Sequence, residues 1–229
     1  MGSPVIAILP ARGGSKRVPR KNIRSFHGKP MIHWSLQAAK ESKLFDRIIV
    51  STDDPEIAEV AISNGAEVPF LRSASLADDL TGTTDVVRDA VTRLALSADA
   101  AVCCLYPTAA FVRGDDLKSG YRILTEQFAC WVLSVAPYRT PIQRAYHLKD
   151  GKAVPMLSEA MPMRSQDLPQ AYFDAGQFYW ALAKTWRDEN ARVWDGASPV
   201  ILDSNRVVDI DTLEDWAFAE QLFTMQSAK

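Results

Sequence analysis

The chain has 229 residues, 47% of them hydrophobic and 24% charged, and its 26 Lys and Arg against 28 Asp and Glu leave a formal net charge of −2. That length is compatible with a single domain over residues 1–229, carrying a small excursion, and the composition can fill a sizeable core. The near-neutral balance excludes a global attraction to nucleic acid or to an anionic membrane, so any anion site must come from local clustering.

Val5 to Leu9 is a five-residue apolar run and reads as a buried first strand. The loop after it holds Arg12, Lys16, Arg17, Arg20, Lys21 and Arg24 with no acid between them, and Gly13-Gly14 allow close backbone approach to a ligand. In α/β proteins ligands gather at the carboxyl ends of strands. Free backbone N–H groups and cations there suit a triphosphate. The spacing matches neither the P-loop nor the dinucleotide glycine pattern. A solvated basic face is the competing account.

Gly28-Lys29-Pro30 leads into a helix with Ile32, Leu36 and Ala39 on one side. Arg47 to Ser51 reads as a second buried strand, followed by a helix from about Glu56 to Asn64 that Gly65 terminates. Val68 to Leu71 is expected as a short edge strand limited by Pro69. A third helix starts near Thr84, with Val87, Ala90, Val91 and Leu94 inward. Ala101 to Leu105 is the next strand, a helix follows with Asp115 as its expected cap, and Trp131 to Val135 is a further strand. Cys103 and Cys104 are neighbours in a strand and point to opposite faces, so no disulfide joins them. Their setting, with the lack of a signal-peptide pattern or a membrane-length apolar run, is that of a reduced, cytoplasmic protein.

The alternation breaks at residues 137–172, where five prolines interrupt a stretch that still carries apolar and aromatic residues. Lys149-Asp150-Gly151-Lys152 has hairpin-turn chemistry, and the segment reads as an inserted arm, serving as oligomer contact and lid. Gln177 to Ala183 returns to strand, Val200 to Leu202 adds another, and Leu213, Trp216, Ala217 and Phe223 define the closing helix. The class expected is therefore a mostly parallel sheet with helices on both faces. Before the closing helix, Asp209 and Asp211 stand two apart, so extended backbone places their carboxylates side by side. They suit Mg²⁺, which is held by one or two carboxylates together with phosphate oxygens. Helix capping by Asp211 or Thr212, with Asp209 merely exposed, is the alternative.

Leu9 to Asn22, Ile49 to Asp53, Leu71-Arg72 and Val208 to Asp211 together resemble the acylneuraminate cytidylyltransferases, the CMP-sialic acid synthetase family, over nearly the whole chain. Cys103 to Ala109 and Arg164 to Trp180 are most similar to the family's pseudaminic acid branch; Tyr106 stands where N-acetylneuraminate enzymes carry glutamine. The resemblance implies a Rossmann-like core, a homodimer built through the arm, Mg²⁺, and transfer of CMP from CTP to the anomeric hydroxyl of a nonulosonic acid, with no nucleic acid or membrane partner. It places Ala11, Arg12, Gly13, Gly14, Ser15, Lys16, Lys21, Asn22 and Arg72 at the nucleotide, with Thr83 or Thr84 as further donors. Arg12, Lys21, Asp209 and Asp211 form the expected catalytic set, and the last two hold the metal. Arg164 is chosen for the sugar carboxylate, because a guanidinium grips it with two parallel hydrogen bonds; a surface or dimer salt bridge is its alternative. Tyr106, Gln166, Asp174 and Gln177 are further sugar-pocket candidates, while Tyr179 and Trp180 are expected in the core. Other acceptors of the same chemistry are N-acetylneuraminate, legionaminate and Kdo. A non-catalytic nucleotide-binding protein is the alternative of another class.

Overall fold

A computed structural model describes residues 2–78 and 81–227. The first strand, β1 (Val5–Pro10), lies inside the sheet, and Ile6 to Leu9 are fully buried. The basic loop leads through a two-residue pair, β2 (Ser25–Phe26) and β3 (Lys29–Pro30), into α1 (Met31–Ser42). Then come β4 (Arg47–Ser51), α2 (Pro55–Ser63), α3 (Thr83–Arg93) and β5 (Ala101–Leu105). They are followed by α4 (Gly114–Glu126) and β6 (Val132–Pro137). Asp54 caps α2 by accepting the N–H groups of Glu56 and Ile57, with Pro55 in the first turn.

The arm between Pro137 and Tyr172 contains a hairpin, β7 (Tyr146–Lys149) and β8 (Lys152–Pro155). Its turn residues Asp150 and Gly151 have φ of 51° and 72°, the left-handed pair that a two-residue hairpin loop requires. The chain re-enters the body as β9 (Tyr172–Leu182), then forms α5 (Ala183–Arg187), β10 (Ser198–Ile201) and α6 (Leu213–Ser227). The strand order is β10-β6-β9-β5-β1-β4. β1 runs parallel to β4 and β5, and β10 runs parallel to β6. β9 is antiparallel to both of its neighbours and splits the sheet.

Strand periodicity sorts the core into layers. Ala7, Leu9 and Cys103 pack with Ile32, Leu36 and Leu117 on the α1 and α4 side. Ile6, Ile8 and Cys104 pack with Val87, Ala90 and Trp186 on the α3 and α5 side. The cysteines are thus on opposite faces, buried and free. A third cluster joins Val18 and Phe26 of the basic loop to Ile210, Trp216 and Ala219 near the C-terminus. Phe26 meets Trp216 edge to face, with centroids 5.5 Å apart, and the Arg24 guanidinium lies 5.0 Å over the Trp216 ring.

Three local expectations are corrected. Residues 68–71 form no strand; Glu67 and Leu71 make only isolated bridges to Ile49 and Thr52, because Pro69 has no N–H to offer a ladder. Asp115 does not cap α4. Asp116 does so, accepting the Arg113 N–H at 2.9 Å, while Asp115 pairs with Lys118 on the surface. The strand expected from Gln177 begins five residues earlier, at Tyr172, and tolerates Gly176 in a left-handed conformation (φ 59°).

Candidate active site

A cavity of about 560 Å³ opens at the carboxyl ends of β1 and β5. The loop after β1 supplies Arg12, Ser15, Lys16, Arg17, Lys21 and Asn22 to one wall. Thr81, Thr83 and Val86 supply another, Tyr106 to Thr108 a third, and Asp211 joins the cations Arg17 and Lys21 at the lining. Residues at the two ends of the chain therefore share one space.

Asn22 is buried, and its Nδ2 donates to the Arg12 carbonyl at 2.9 Å, which closes the loop on itself. The Arg12 guanidinium donates to the Asp78 carbonyl at 2.8 Å. Arg72 is buried and donates to the carbonyls of Ser51 (2.5 Å) and Leu76 (3.3 Å). Its Nε has no hydrogen-bond partner among the described residues. Burial lowers its pKa, which the charge of Asp53 opposes. Arg20 is turned away from the cavity: it holds Asp54 and Glu56, tying the first loop to the start of α2.

A backbone-amide cradle for phosphate is the expectation corrected here. The Ala11 N–H continues the ladder to the Ser51 carbonyl (2.9 Å), and the Ser15 N–H returns to the Gly13 carbonyl (3.0 Å). The Gly13 N–H donates to Asp53 Oδ1 at 3.0 Å. Three of the five amides from Ala11 to Ser15 are thus engaged within the protein, which leaves much of the charge complementarity to the side chains. Gly13 is required for another reason: a Cβ there would sit 2.5 Å from Asp54 Oδ2.

Asp209 and Asp211 flank buried Ile210, which keeps their side chains on one face. Asp211 accepts from Arg17 at 2.9 Å and from Lys21 at 3.5 Å, and Lys21 also donates to the Ile210 carbonyl at 2.6 Å. Asp211 does not cap α6; Thr212, the other residue of the capping alternative, does. Asp215 accepts the N–H groups of Asp211 and Thr212, and the Asp215 N–H donates back to Thr212 Oγ1, a reciprocal box at the start of α6. The Asp209 carboxyl is pushed above the ordinary aspartate range, first by desolvation and then by the charge of Asp211. Two adjacent carboxylates in mutual repulsion fit a divalent cation that takes its remaining ligands from phosphate and water. No group of three or more metal-ligating side chains exists among the described residues, so protein ligands alone would not complete such a shell.

Tyr106 lines the cavity and meets Thr83 Oγ1 at 3.0 Å. Burial pushes its phenol up to about 12. Thr84 faces a different hollow beside Arg192 and Trp194. Gln177 is buried and does not line the cavity, donating to the Ala175 carbonyl at 2.7 Å. Asp174 is exposed and accepts from the Tyr179 hydroxyl at 2.7 Å, so Tyr179 is no mere core residue. Arg164 and Gln166 lie on the arm, outside the cavity. Arg164 is 73% exposed and pairs with Asp167 at 2.7 Å, the salt-bridge alternative, and Gln166 borders a groove with Tyr138 and Arg139. Arg17, Thr81, Val86, Pro107 and Thr108 are cavity residues that sequence reasoning did not assign; only Arg17, inside the basic run, carried a visible signal.

A mostly parallel α/β sheet, with a cavity at its strand ends lined by Arg12, Lys16, Arg17 and Lys21 and by the Asp211 carboxylate that two of them hold, has the layout of a nucleotide-binding transferase. Residues 6–181 match the family model described as cytidylyltransferase, and the chain belongs to that family of nucleotidyltransferases. It is 42% identical over 221 residues, 95% of each chain, to the pseudaminic acid cytidylyltransferase of Campylobacter jejuni subsp. jejuni serotype O:2. It is 32% identical over 229 residues to the CMP-N,N'-diacetyllegionaminic acid synthase of Legionella pneumophila, covering 96% of this chain and 97% of that one. Among solved structures, a CMP:2-keto-3-deoxy-manno-octonic acid synthetase complexed with CTP shares the fold, with a TM-score of 0.73 at 15% identity over 98% of this chain and 100% of the other.

Proposed function

We propose that this chain transfers CMP from CTP to the anomeric hydroxyl of a diacetamido nonulosonic acid, pseudaminic acid in the first place, with release of pyrophosphate. The observation that carries the reading is the junction of the basic loop with Asp211 at one cavity, where Lys21 and Arg17 meet its carboxylate. The 42% identity to a pseudaminic acid cytidylyltransferase supports the acceptor. The legionaminate relative supports a second acceptor of the same chemistry.

In this reading the sugar hydroxyl oxygen forms a bond to the α-phosphorus as the bond to the pyrophosphate oxygen breaks. The demand on the protein is alignment and neutralisation of charge rather than covalent chemistry. Arg12, Lys16, Arg17 and Lys21 surround the phosphate region and offset the charge that develops on the leaving pyrophosphate. A triphosphate competes with Asp211 for Arg17 and Lys21, which releases the carboxylate toward a cation. Asp209 and Asp211 would hold Mg²⁺, which when bound supplies Lewis acidity at the α-phosphate. We further propose a homodimer formed through the arm, supported by the apolar groups it exposes: Tyr146 (51%), Leu148 (86%), Val154 (43%) and Met156 (46%). A cytoplasmic setting is in keeping with three free cysteines.

The test is pyrophosphate release from CTP with pseudaminic, legionaminic and N-acetylneuraminic acids and Kdo, with UTP and GTP as nucleotide controls. Turnover is expected with CTP and greatest with the diacetamido acids. CTP binding without turnover of any sugar acid would leave the non-catalytic alternative.

A further inference from the structure

Residues 202–212 join β10 to α6, and one short 3-10 turn, Ser204–Arg206, is their only regular structure. Asp209 and Asp211 therefore sit on backbone that no sheet ladder or helix holds, and their placement depends on what grips the segment at its ends. Downstream, the Asp215 carboxylate takes the N–H groups of Asp211 and Thr212. Upstream, the grip is a guanidinium. Arg206 meets Asp116 with both of its terminal nitrogens, Nη1 to Oδ2 at 2.9 Å and Nη2 to Oδ1 at 3.1 Å. Nη1 also donates to the Phe111 carbonyl at 3.1 Å.

The surroundings make this contact a clamp, unlike the ion pairs on the surface. Each of the two side chains is only 14% exposed. Two parallel charge-assisted bonds fix distance and orientation together, which a single point contact cannot do. Asp116 is itself held, because Oδ2 accepts the Arg113 N–H at the start of α4. Phe111 lies in the same apolar cluster as Val208 and Ile210, the residues that alternate with the two carboxylates. The connection from β5 to α4 that carries Phe111 also carries Pro107 and Thr108, which line the cavity. Arg206 thus joins one cavity wall to the segment that bears Asp211. Neither Arg206 nor Asp116 lines the cavity, so both act through that segment.

We propose that Arg206 and Asp116 are positioning residues, whose fork sets the placement of the Asp209–Asp211 segment against the β5–α4 connection and thereby the affinity of the two carboxylates for a divalent cation. The inference rests on the function proposed above, which takes those carboxylates as the cation's protein ligands. Groups that orient metal ligands from behind typically change metal affinity about ten- to a hundredfold when replaced. A clamp that acts through intervening backbone belongs at the lower end of that range.

Titration calorimetry of CTP at a series of Mg²⁺ concentrations tests it without turnover. Arg206→Lys keeps the charge and loses the fork. Asp116→Asn keeps an oxygen for the Arg113 N–H and loses the carboxylate. Each should raise, by about tenfold, the Mg²⁺ concentration that gives half the gain in CTP affinity. Each should leave CTP affinity without Mg²⁺ unmoved, because the cations of the first loop are untouched. Combined, the two changes should do little more than either alone. Leu124→Ala, in the core at the other end of α4, is the reference for lost stability: its melting temperature should fall with the Mg²⁺ midpoint unchanged. A midpoint unmoved in the two clamp variants, or moved as far by Leu124→Ala, overturns the proposal. So does a wild type whose CTP affinity ignores Mg²⁺. Absence of turnover with every sugar acid, with the midpoint shifted as expected, overturns the function and keeps the clamp.

Discussion

Lys21 places its Nζ 2.6 Å from the carbonyl oxygen of Ile210, 189 positions further along the chain. The contact is local in space because Val18 and Phe26, on either side of Lys21, share an apolar cluster with Ile210 and Trp216. Burial of those side chains supplies the driving force. The ammonium group then joins two segments that the site needs together. Replacing Lys21 by Met keeps much of the apolar stem and removes the charge. Turnover should fall by about ten- to a hundredfold, the equivalent of about 1.5–3 kcal/mol for a hydrogen bond to a charged group, with the far-UV circular dichroism spectrum unchanged. Stopped-time pyrophosphate assays at saturating sugar check this.

Asp211 and Thr212 are adjacent and should separate cleanly. Thr212 Oγ1 belongs to the box that starts α6, so Thr212→Ala should cost about 1 kcal/mol of stability with little change in turnover. Asp211→Asn should do the reverse: an unchanged melting curve and a loss of turnover on the order of a hundredfold. The comparison is made by calorimetric melting and by the Mg²⁺ concentration needed for half-maximal rate. If Asp211→Asn turns over normally, the metal assignment falls.

Acid should weaken the join between the first loop and α2. The Arg20 guanidinium, followed by the N–H groups of Ile57 and Glu56, holds the Asp54 carboxyl below its ordinary range, against some desolvation. A carboxylate whose pKa is depressed in the folded state contributes stability above its unfolded pKa. That contribution is lost as pH falls toward the depressed value. Asp54→Ala should therefore cost about 1–2 kcal/mol at neutral pH, mostly as a lost helix cap. The gap from wild type should narrow on titration below the ordinary aspartate range. Urea denaturation at several pH values measures it; a gap independent of pH would remove the ion pair from the account.

Two neighbouring glycines should behave differently. A methyl group at Gly13 would meet Asp54 Oδ2 at 2.5 Å, while nothing lies within 4 Å of one at Gly14. Gly13→Ala should displace the loop, weaken CTP binding and lower stability, and Gly14→Ala should leave the fold intact. Titration calorimetry with CTP on both variants reads the difference.

The proposed dimer is testable at the hairpin tip. Leu148→Asp puts a charge where a second copy would have to bury it, and sedimentation velocity should show a monomer with an unchanged circular dichroism spectrum.

The body of the fold was legible because its strands are short apolar runs and its helices carry one-sided periodicity. Arg47 to Ser51 and Ala101 to Leu105 are strands with the bounds read from sequence. Polar duty was harder to apportion. Nothing in the run from Arg12 to Arg24 says that Arg20 grips Asp54 and Arg24 lies over Trp216 while Arg17 faces the cavity. Those choices depend on neighbours that the chain brings in from far away. Asp115 and Asp116 show the same limit at closer range, since which of two adjacent acids caps a helix depends on a one-residue shift in its start. Tyr179 read as core because a phenol in an apolar strand looks like packing, and its hydroxyl finds Asp174 only because Gly176 lets the strand bend between them.

β9 has one more consequence, for assembly. It fills the gap between β5 and β6, yet it is synthesised after both, and after the arm. On the ribosome, the facing edges of β5 and β6 remain open templates until residue 182 has emerged, and β6 has no neighbour at all before then. The nascent chain is consequently most exposed to off-pathway strand pairing during translation of the arm, and slowing elongation there should lower the yield of native protein more than slowing it earlier.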